Sequence, residues 1–406
     1  MSNVAQIYLN DKDLGVRWSQ VKEDFWGDLK RETNLAISRL LTSTMEVQVQ
    51  DLIGIPKGKH SIQRTNNCNG YRYRGLLTSF GYINSIKIPR IRSGSIVFNC
   101  IPRYKQRAED IDALVLEMFL AGVSVRRVEE VLTPLCGPKS ISASSVSSIT
   151  KTLNKYVNNF HKRKLNDDYV YLIVDGVYLN VKNPIWKKRR CILVVYGIKA
   201  NGNREIIDFE LAPHGESQLA WEKFLWRLYY RGLEGKYFRL IVRDGCKALK
   251  NALSTVFPTV NQQLCWAHKL RNVANKLPKT LQSLCISQAR DIYNAKNQDE
   301  ALKIFKQWAK VWQGLAPDTV KCLNEDIYDL LNFFNEPKYL WRKLRTTNII
   351  ERVFREVRRR TRPISCFQNQ DSIQRITFSI FFRMNKIWEN SPIKQPKLKN
   401  EITHKI

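Results

Sequence analysis

"YVYLIVDGVYLNVK" (residues 169–182), "RRCILVVYGIKA" (189–200) and "REIIDFELAP" (204–213) are three apolar, β-branched runs in close succession, the last two joined by the turn residues "NGN" at 201–203. A helical pattern follows, "SQLAWEKFLWRLYYRGL", then a short buried-strand pattern "YFRLIVRDG" (237–245), a helix "CKALKNALSTVF" and a last strand "VNQQLCWAH" (260–268). Three strands followed by αβαβ is the element order of an RNase H-like domain of the α/β class, an order that other α/β arrangements share. Asp175 closes the apolar run "YLIVD" and Asp244 closes "RLIVRD", each followed by glycine. Strands that finish on a carboxylate at one sheet edge bring both oxygens to the place where open α/β sheets collect their chemistry. Asp-Gly is also a common turn dipeptide, which would make either aspartate a turn residue.

Downstream, residues 277–344 are helical throughout, with Ala301, Phe305, Trp308 and Trp312 on one face, and read as an insertion whose aromatics are core and not base-stacking platforms. The stretch "RTTNIIERVFREVRRRTR" (345–362) then sets two glutamates among arginines on a helix. Glu356 sits one turn from Arg352 and Arg360 and can pair with either. Glu351 opens the helix: with Asn348 as N-cap it occupies the third helical position, where a capping box accounts for a glutamate. Alternatively it is a third carboxylate beside the two aspartates. Hard divalent cations take oxygen ligands, and phosphoryl transfer uses two such ions ~3.5–4 Å apart. Arg355 and Arg358 share the face of Glu351 and could grip phosphates beside a scissile bond. The tail, 389–406, is polar and Lys-rich and reads as mobile.

Upstream, residues 1–70 form a helical lead-in with apolar positions at Trp18, Val21, Phe25, Leu29, Ile37, Leu40 and Leu41. Residues 71–104 switch to a basic, β-rich pattern in which "INSIKIPRIR" places basic side chains on one strand face, suited to phosphates or to guarding a sheet edge. Residues 105–160 read as three helices, "AEDIDALVLEMFLAG", "SVRRVEEVL" and "SASSVSSITKTLNKYV", with Ser124 and Ser142 as N-caps. Their order resembles a helix-turn-helix DNA-binding domain, with Arg126, Arg127 and Lys151 as candidate DNA contacts. The connection "TPLCGPKSI" is longer than the usual turn, and an ordinary three-helix unit remains the alternative.

The 406 residues include 67 Lys and Arg against 37 Asp and Glu, a net charge of +30, with 43% hydrophobic residues. This is a folded chain with a real core, not a disordered basic tail, and its charge calls for a polyanion such as nucleic acid. No apolar run approaches the ~18–20 residues of a membrane-spanning helix, and the N-terminus lacks a signal-peptide pattern. A cytoplasmic protein without a membrane partner is expected. Nine cysteines without a CxxC pair read as reduced, mainly buried thiols.

Taken together, "VDGVYLNV", "VRDGCKAL", "QQLCWAHKLRN" and "RTTNIIERVFREVRRRTR" resemble, in order and context, the Mutator-like DDE transposases of bacterial insertion sequences, over roughly residues 70–385. The last motif is the most specific. The resemblance implies an RNase H-like catalytic core made of residues 165–276 and 345–388, an all-helical insertion at 277–344, and a mainly helical N-terminal DNA-binding region. Asp175, Asp244 and Glu351 would be its catalytic, metal-holding triad, with two Mg²⁺ ions and Mn²⁺ as substitute. The family's Cys-x-x-His element is matched by Cys265 and His268. No second pair completes a zinc site, which leaves a structural or an active-site-adjacent role, Asn348 lying nearby in the sequence of the last motif. Arg243 departs from the small residue expected before the second aspartate and would add positive charge beside the metal site.

The implied activity is binding of the terminal inverted repeats of the element, strand cleavage by activated water, and joining of 3′-hydroxyls to target phosphates. The partners would be double-stranded DNA, as repeat ends and as target, and further copies of the chain in a homodimer or larger synaptic assembly. The setting would be the bacterial nucleoid. Arg352, Arg355, Arg358 and Arg359 would contact DNA at the catalytic core. Two other readings share these residues: an RNase H-like nuclease or resolvase without joining activity, and a DNA-binding regulator with an inactive catalytic domain.

Overall fold

The computed structural model describes residues 25–394 except 56–61, 63, 102–103, 138–140, 183–186, 213–214 and 362–369. Trp18 and Val21 of the lead-in, and the tail beyond 394, lie outside the described residues. The chain divides into two compact units, one of Met1–Phe119 and Val123–Lys151, the other of Leu120–Gly122 and Thr152–Ile406.

In the first unit a long helix α1 (Phe25–Ile53) accompanies a hairpin of β1 (Cys68–Thr78) and β2 (Gly81–Ile91). Met45, Val49 and Ile53, at four-residue spacing, bury one stripe of α1 with Ile83, Ile86 and Ile88 of β2, while Leu40 is exposed. The alternation in β2 turns its isoleucines inward and Lys87 and Arg90 outward, as the sequence pattern requires. Helices α2 (Glu109–Leu120), α3 (Val125–Cys136) and α4 (Ala143–Lys151) share a second small core of Ile111, Val115, Val128, Leu132, Val146 and Ile149. Ser124 caps α3 by accepting the Arg127 N–H, and Ser142 caps α4 by accepting the Ser145 N–H. The third expected helix is interrupted at Thr152, whose backbone stays helical, and resumes as α5 (Leu153–Lys162). The division between units falls at this point and not at 160, because Val146 and Ile149 join the α2/α3 core whereas Val157 joins the core of the second unit.

The second unit is built on a five-stranded sheet of β3 (Tyr169–Lys182), β4 (Lys187–Lys199), β5 (Arg204–Ala212), β6 (Leu240–Arg243) and β7 (Asn261–Leu264), in the order β5-β4-β3-β6-β7. β3, β4 and β5 pair antiparallel, whereas β6 and β7 run parallel to β3. That order with those directions is the RNase H-like sheet. Both faces of β3 are covered, which is why its sequence is an unbroken apolar run. Leu172 and Val174 face helices α6 (Gln218–Tyr230) and α7 (Lys247–Val256), whose Trp221, Phe224, Leu249 and Leu253 complete that layer. Tyr171, Ile173, Val177 and Leu179 face the other way, into a larger core.

Two strand ends differ from expectation. β3 runs straight through Asp175 and Gly176, which pair with Val194 and Leu193 of β4, so Asp175 lies mid-strand and is neither a strand end nor a turn. The last strand stops at Leu264, and Cys265 is the cap residue of helix α8 (Trp266–Ala274). After α8 come α9 (Lys279–Asn294), α10 (Gln298–Trp312), α11 (Pro317–Asn324), α12 (Ile327–Leu331) and the single turn α13 (Trp341–Leu344). Ala301, Phe305, Trp308 and Trp312 are buried along α10 as expected. The indole of Trp312 donates to Gln288 Oε1 at 2.8 Å and that of Trp308 to the Cys285 carbonyl at 3.3 Å, which identifies them as core and not as stacking platforms. Helices α14 (Asn348–Thr361) and α15 (Gln370–Glu389) return to the sheet. Asn385 of α15 accepts from the Ile206 N–H and donates to the Ile206 carbonyl, closing off part of the edge strand β5.

Candidate active site

The parallel ladder between β3 and β6 sets Ile173 opposite Val242. Two residues further on, Asp175 and Asp244 therefore stand at the same level, Asp175 on the sheet face of Ile173 and Asp244 just past the end of β6. β6 has ended by then, and Asp244 Oδ1 accepts the Cys246 N–H at 3.0 Å, turning the chain into α7. Asp175 is 4% exposed, and its Oδ1 accepts the N–H of Gly176 at 2.9 Å. Burial pushes its carboxyl up to about 7; His268 pulls it down and Asp244 pushes it further up. Glu216, just before the N-cap Ser217 of α6, is likewise pushed up to about 7 by burial and then by Asp244. Among the described residues, Glu216, Asp244 and Cys246 offer ligand atoms all within 4.8 Å of one another.

Glu351 reaches the same face from α14. The first backbone bond of that helix runs from the Glu351 N–H to the Thr347 carbonyl at 3.1 Å, so Thr347 precedes the first turn and Asn348 lies within it. The side chain of Glu351 turns to His268 Nε2 at 3.4 Å and Arg271 Nη2 at 3.6 Å, away from the start of its own helix, so the capping box does not form. Ile350, Val353, Phe354 and Val357 form the buried stripe of α14, with Phe354 at its edge beside Glu351. Glu356 pairs with Arg359 at 2.8 Å, in preference to Arg352 or Arg360.

Between α8 and α14 lies a tight link. Thr347, 0% exposed, donates its N–H to Cys265 Sγ at 3.3 Å, and its hydroxyl lies 3.5 Å from that sulfur and 3.4 Å from His268 Nδ1. Hydrogen bonding to Cys265 pushes His268 up to about 9 against the pull of burial, and the charges of Cys265, Asp175 and Glu351 add to it. Burial alone would raise the Cys265 thiol, but hydrogen bonding to His268, the charge of that imidazole and the hydrogen bonds of Thr347 together outweigh it and leave the thiol below its usual value. Cys265 thus faces Thr347, and His268 faces Thr347 and Glu351, with no second Cys/His pair beside them among the described residues.

A cleft of about 770 Å³ opens at this point. Asp175, Gly176, His268 and Glu351 line it together with Arg271, Arg355, Arg358 and Arg359. Arg352 is exposed on α14 but does not line the cleft, and Arg126, Arg127 and Lys151 are exposed in the first unit. The guanidinium of Arg243, 2% exposed, stays beside the second aspartate by donating to the Asp244 carbonyl at 2.9 Å. Its other nitrogens donate to Asp329 Oδ2 at 2.9 Å and Gln262 Oε1 at 2.6 Å, so part of its charge is taken up by α12. Sequence reasoning missed Arg271, Thr347 and Glu216. The first two sit inside the motifs quoted above, three residues past His268 and four before Glu351, whereas a glutamate in a loop before a helix carries no signal of its own.

A mixed sheet of this order, with one aspartate on its central strand, a second level with it just past the adjacent strand, and a glutamate beside an arginine-lined cleft, defines the RNase H-like class to which integrases and transposases belong. Over residues 19–391 the chain matches the family "Transposase, Mutator family", and it belongs to that family. It is a DNA transposase. It is 31% identical over 352 residues to the transposase for insertion sequence element ISRM5 of Rhizobium meliloti, covering 87% of each chain. It is 30% identical over 375 residues to the transposase for IS256 in transposon Tn4001 of Staphylococcus aureus, covering 87% of this chain and 90% of that one. Among solved structures, the Drosophila P element transposase strand transfer complex aligns at 9% identity and TM-score 0.31, over 72% of this chain and 82% of that one.

Proposed function

We propose that this transposase is of the DDE type, that it binds the terminal inverted repeats of its own insertion sequence, and that Asp175, Asp244 and Glu351 carry out strand cleavage and strand transfer. The observation that supports this most is the placement of Asp175, an almost fully buried carboxylate level with Asp244 and opening on the same arginine-lined cleft as Glu351. A carboxylate so buried is costly to ionise even with His268 drawing it down, so a further positive partner would stabilise its charged form. The donors at hand are carboxylate oxygens, which fit a hard divalent cation: Mg²⁺, with Mn²⁺ as substitute. Asp175, Asp244 and Glu351 would hold two such ions, whose chemistry is to activate the attacking oxygen and stabilise the leaving one.

The chain's own residues do the rest. Arg355, Arg358 and Arg359 line the cleft on the Glu351 side of α14 and hold the phosphates that flank the scissile bond, with Arg352 extending the basic surface. His268 and Arg271 fix the Glu351 carboxylate, and the link through Thr347 and Cys265 fixes His268. Arg126, Arg127 and Lys151 contact the repeat ends from the first unit. Two or more copies assemble on the paired ends, at the nucleoid. No helix among the described residues is long and apolar enough to cross a membrane. The test is to follow Asp175→Asn, Asp244→Asn and Glu351→Gln on labelled element-end DNA: each variant is expected to lose cleavage and joining while its gel shift with the ends persists. Retained cleavage in any one removes that residue from the site.

A further inference from the structure

We propose that Glu216 is a fourth metal-facing carboxylate, which joins Asp244 in holding one of the two cations while Asp175 and Glu351 address the cleft. The inference rests on the triad reading above and extends it to a residue outside the family motifs.

Its position is built, not incidental. The Glu216 N–H donates to the Tyr178 hydroxyl at 3.3 Å, which ties the loop before α6 to β3. The carboxylate then lies over the backbone beside Asp175: a Cβ on residue 176 would meet Glu216 Oε1 at 2.5 Å and Cys191 Sγ at 3.1 Å. Only glycine at 176 leaves this room, in mid-strand, where no turn requires a glycine. Glu216, Asp244 and Cys246 cluster within 4.8 Å, and Glu216 Oε1 is shut off from solvent with no hydrogen-bond partner among the described residues. Asp175, next to Gly176, points to the other face of β3 and into the cleft, more than nine-tenths buried and bonded only to its neighbour's N–H among the described residues. Carboxylates gathered this way repel one another unless a cation lies among them. Asp175 and Glu351 line the cleft, whereas Asp244 and Glu216 do not, so the donors fall into two pairs on either side of Gly176.

The rival role for Glu216 is structural. Trp221 is fully buried, and its indole N–H, which also lacks an acceptor, approaches this carboxylate. The two roles separate in one experiment on the full chain: Mn²⁺ titration by calorimetry, with thermal melting in EDTA, for the wild type, Glu216→Gln and Asp244→Asn. Mn²⁺ is the probe because Zn²⁺ would seek the Cys246 thiolate. Expected is a loss of affinity for one of the two Mn²⁺ ions, about tenfold or more, in Glu216→Gln. In EDTA the same variant is expected to melt at or above the wild type, since the substitution removes repulsion from the site. Wild-type Mn²⁺ binding in Glu216→Gln alongside loss in Asp244→Asn would overturn the assignment and leave the triad standing. Unchanged binding in both would overturn the triad reading with it. A Glu216→Gln chain that melts lower in EDTA, or does not fold, would show that the carboxylate serves Trp221 and also overturn the proposal.

Discussion

Asp175→Asn should make the EDTA-treated protein more stable, even as it removes activity. The carboxyl is pushed from 3.8 to about 7 by burial, opposed by His268 and reinforced by Asp244. A folded-state value above the unfolded one means that the native protein binds a proton that the unfolded chain releases. Stability is then greatest below about pH 4 and falls as pH rises toward 7, where Asp175 ionises in the folded state too. A shift of this size corresponds to roughly 2–4 kcal/mol at neutral pH, the upper end being ~3 units at 1.36 kcal/mol each. Asparagine keeps the oxygen that accepts the Gly176 N–H and drops the charge, so the variant escapes the loss. The gap between variant and wild type should be near zero at about pH 4, open steadily, and level off above 7. For a unit of this size that is a rise in melting temperature of roughly 5–12 °C at alkaline pH. Urea denaturation and thermal melting across pH in EDTA read it directly, and saturating Mn²⁺ should erase it by stabilising only the wild type. A variant less stable than wild type at alkaline pH, or a gap that does not change with pH, would refute the reasoning.

Thr347→Val keeps the shape of the side chain but removes the hydroxyl shared with Cys265 and His268; it should cost about 1 kcal/mol of stability and lower the cleavage rate roughly tenfold with end binding intact, as single-turnover kinetics would show. Arg355→Ala and Arg358→Ala should each weaken end binding and reduce the salt dependence of affinity by about one unit of slope, measured by gel shift over a salt series; an unchanged slope would mean that these cleft arginines do not meet phosphate. Trp312→Ala should cost about 3–5 kcal/mol in a melt, while the salt slope stays as in the wild type.

The sheet was legible because β3 is buried on both faces and shows this as an unbroken apolar run, and because the order of elements around it leaves few topologies. The face of α14 was legible for a related reason: Ile350, Val353, Phe354 and Val357 mark the buried stripe, so Arg355 and Arg358 had to fall on the side of Glu351. What misled was local chemistry whose partner is remote. Asp175-Gly176 can be read as a turn, yet the ladder to β4 holds the strand extended, and the glycine makes room for Glu216 from another loop. Cys265 was assigned to a strand because a cysteine is not an N-cap signal; its sulfur engages Thr347, which is 82 residues away in sequence. Arg243 does lie beside the second aspartate, and what the sequence hid is that Asp329, remote in the chain, also takes its guanidinium. The Glu351 cap failed for the same reason, since His268 and Arg271 compete for the carboxylate from a different helix.

The central claim is that these carboxylates make this transposase a metal-dependent DDE enzyme. Incubating the purified protein with labelled element-end DNA, with Mg²⁺ or with EDTA, and resolving the products on a denaturing gel tests it most directly. The account predicts nicking at the element boundary and joined strands with Mg²⁺, and neither with EDTA. Cleavage that persists in EDTA, or tight end binding with no product under Mg²⁺ or Mn²⁺, would contradict it.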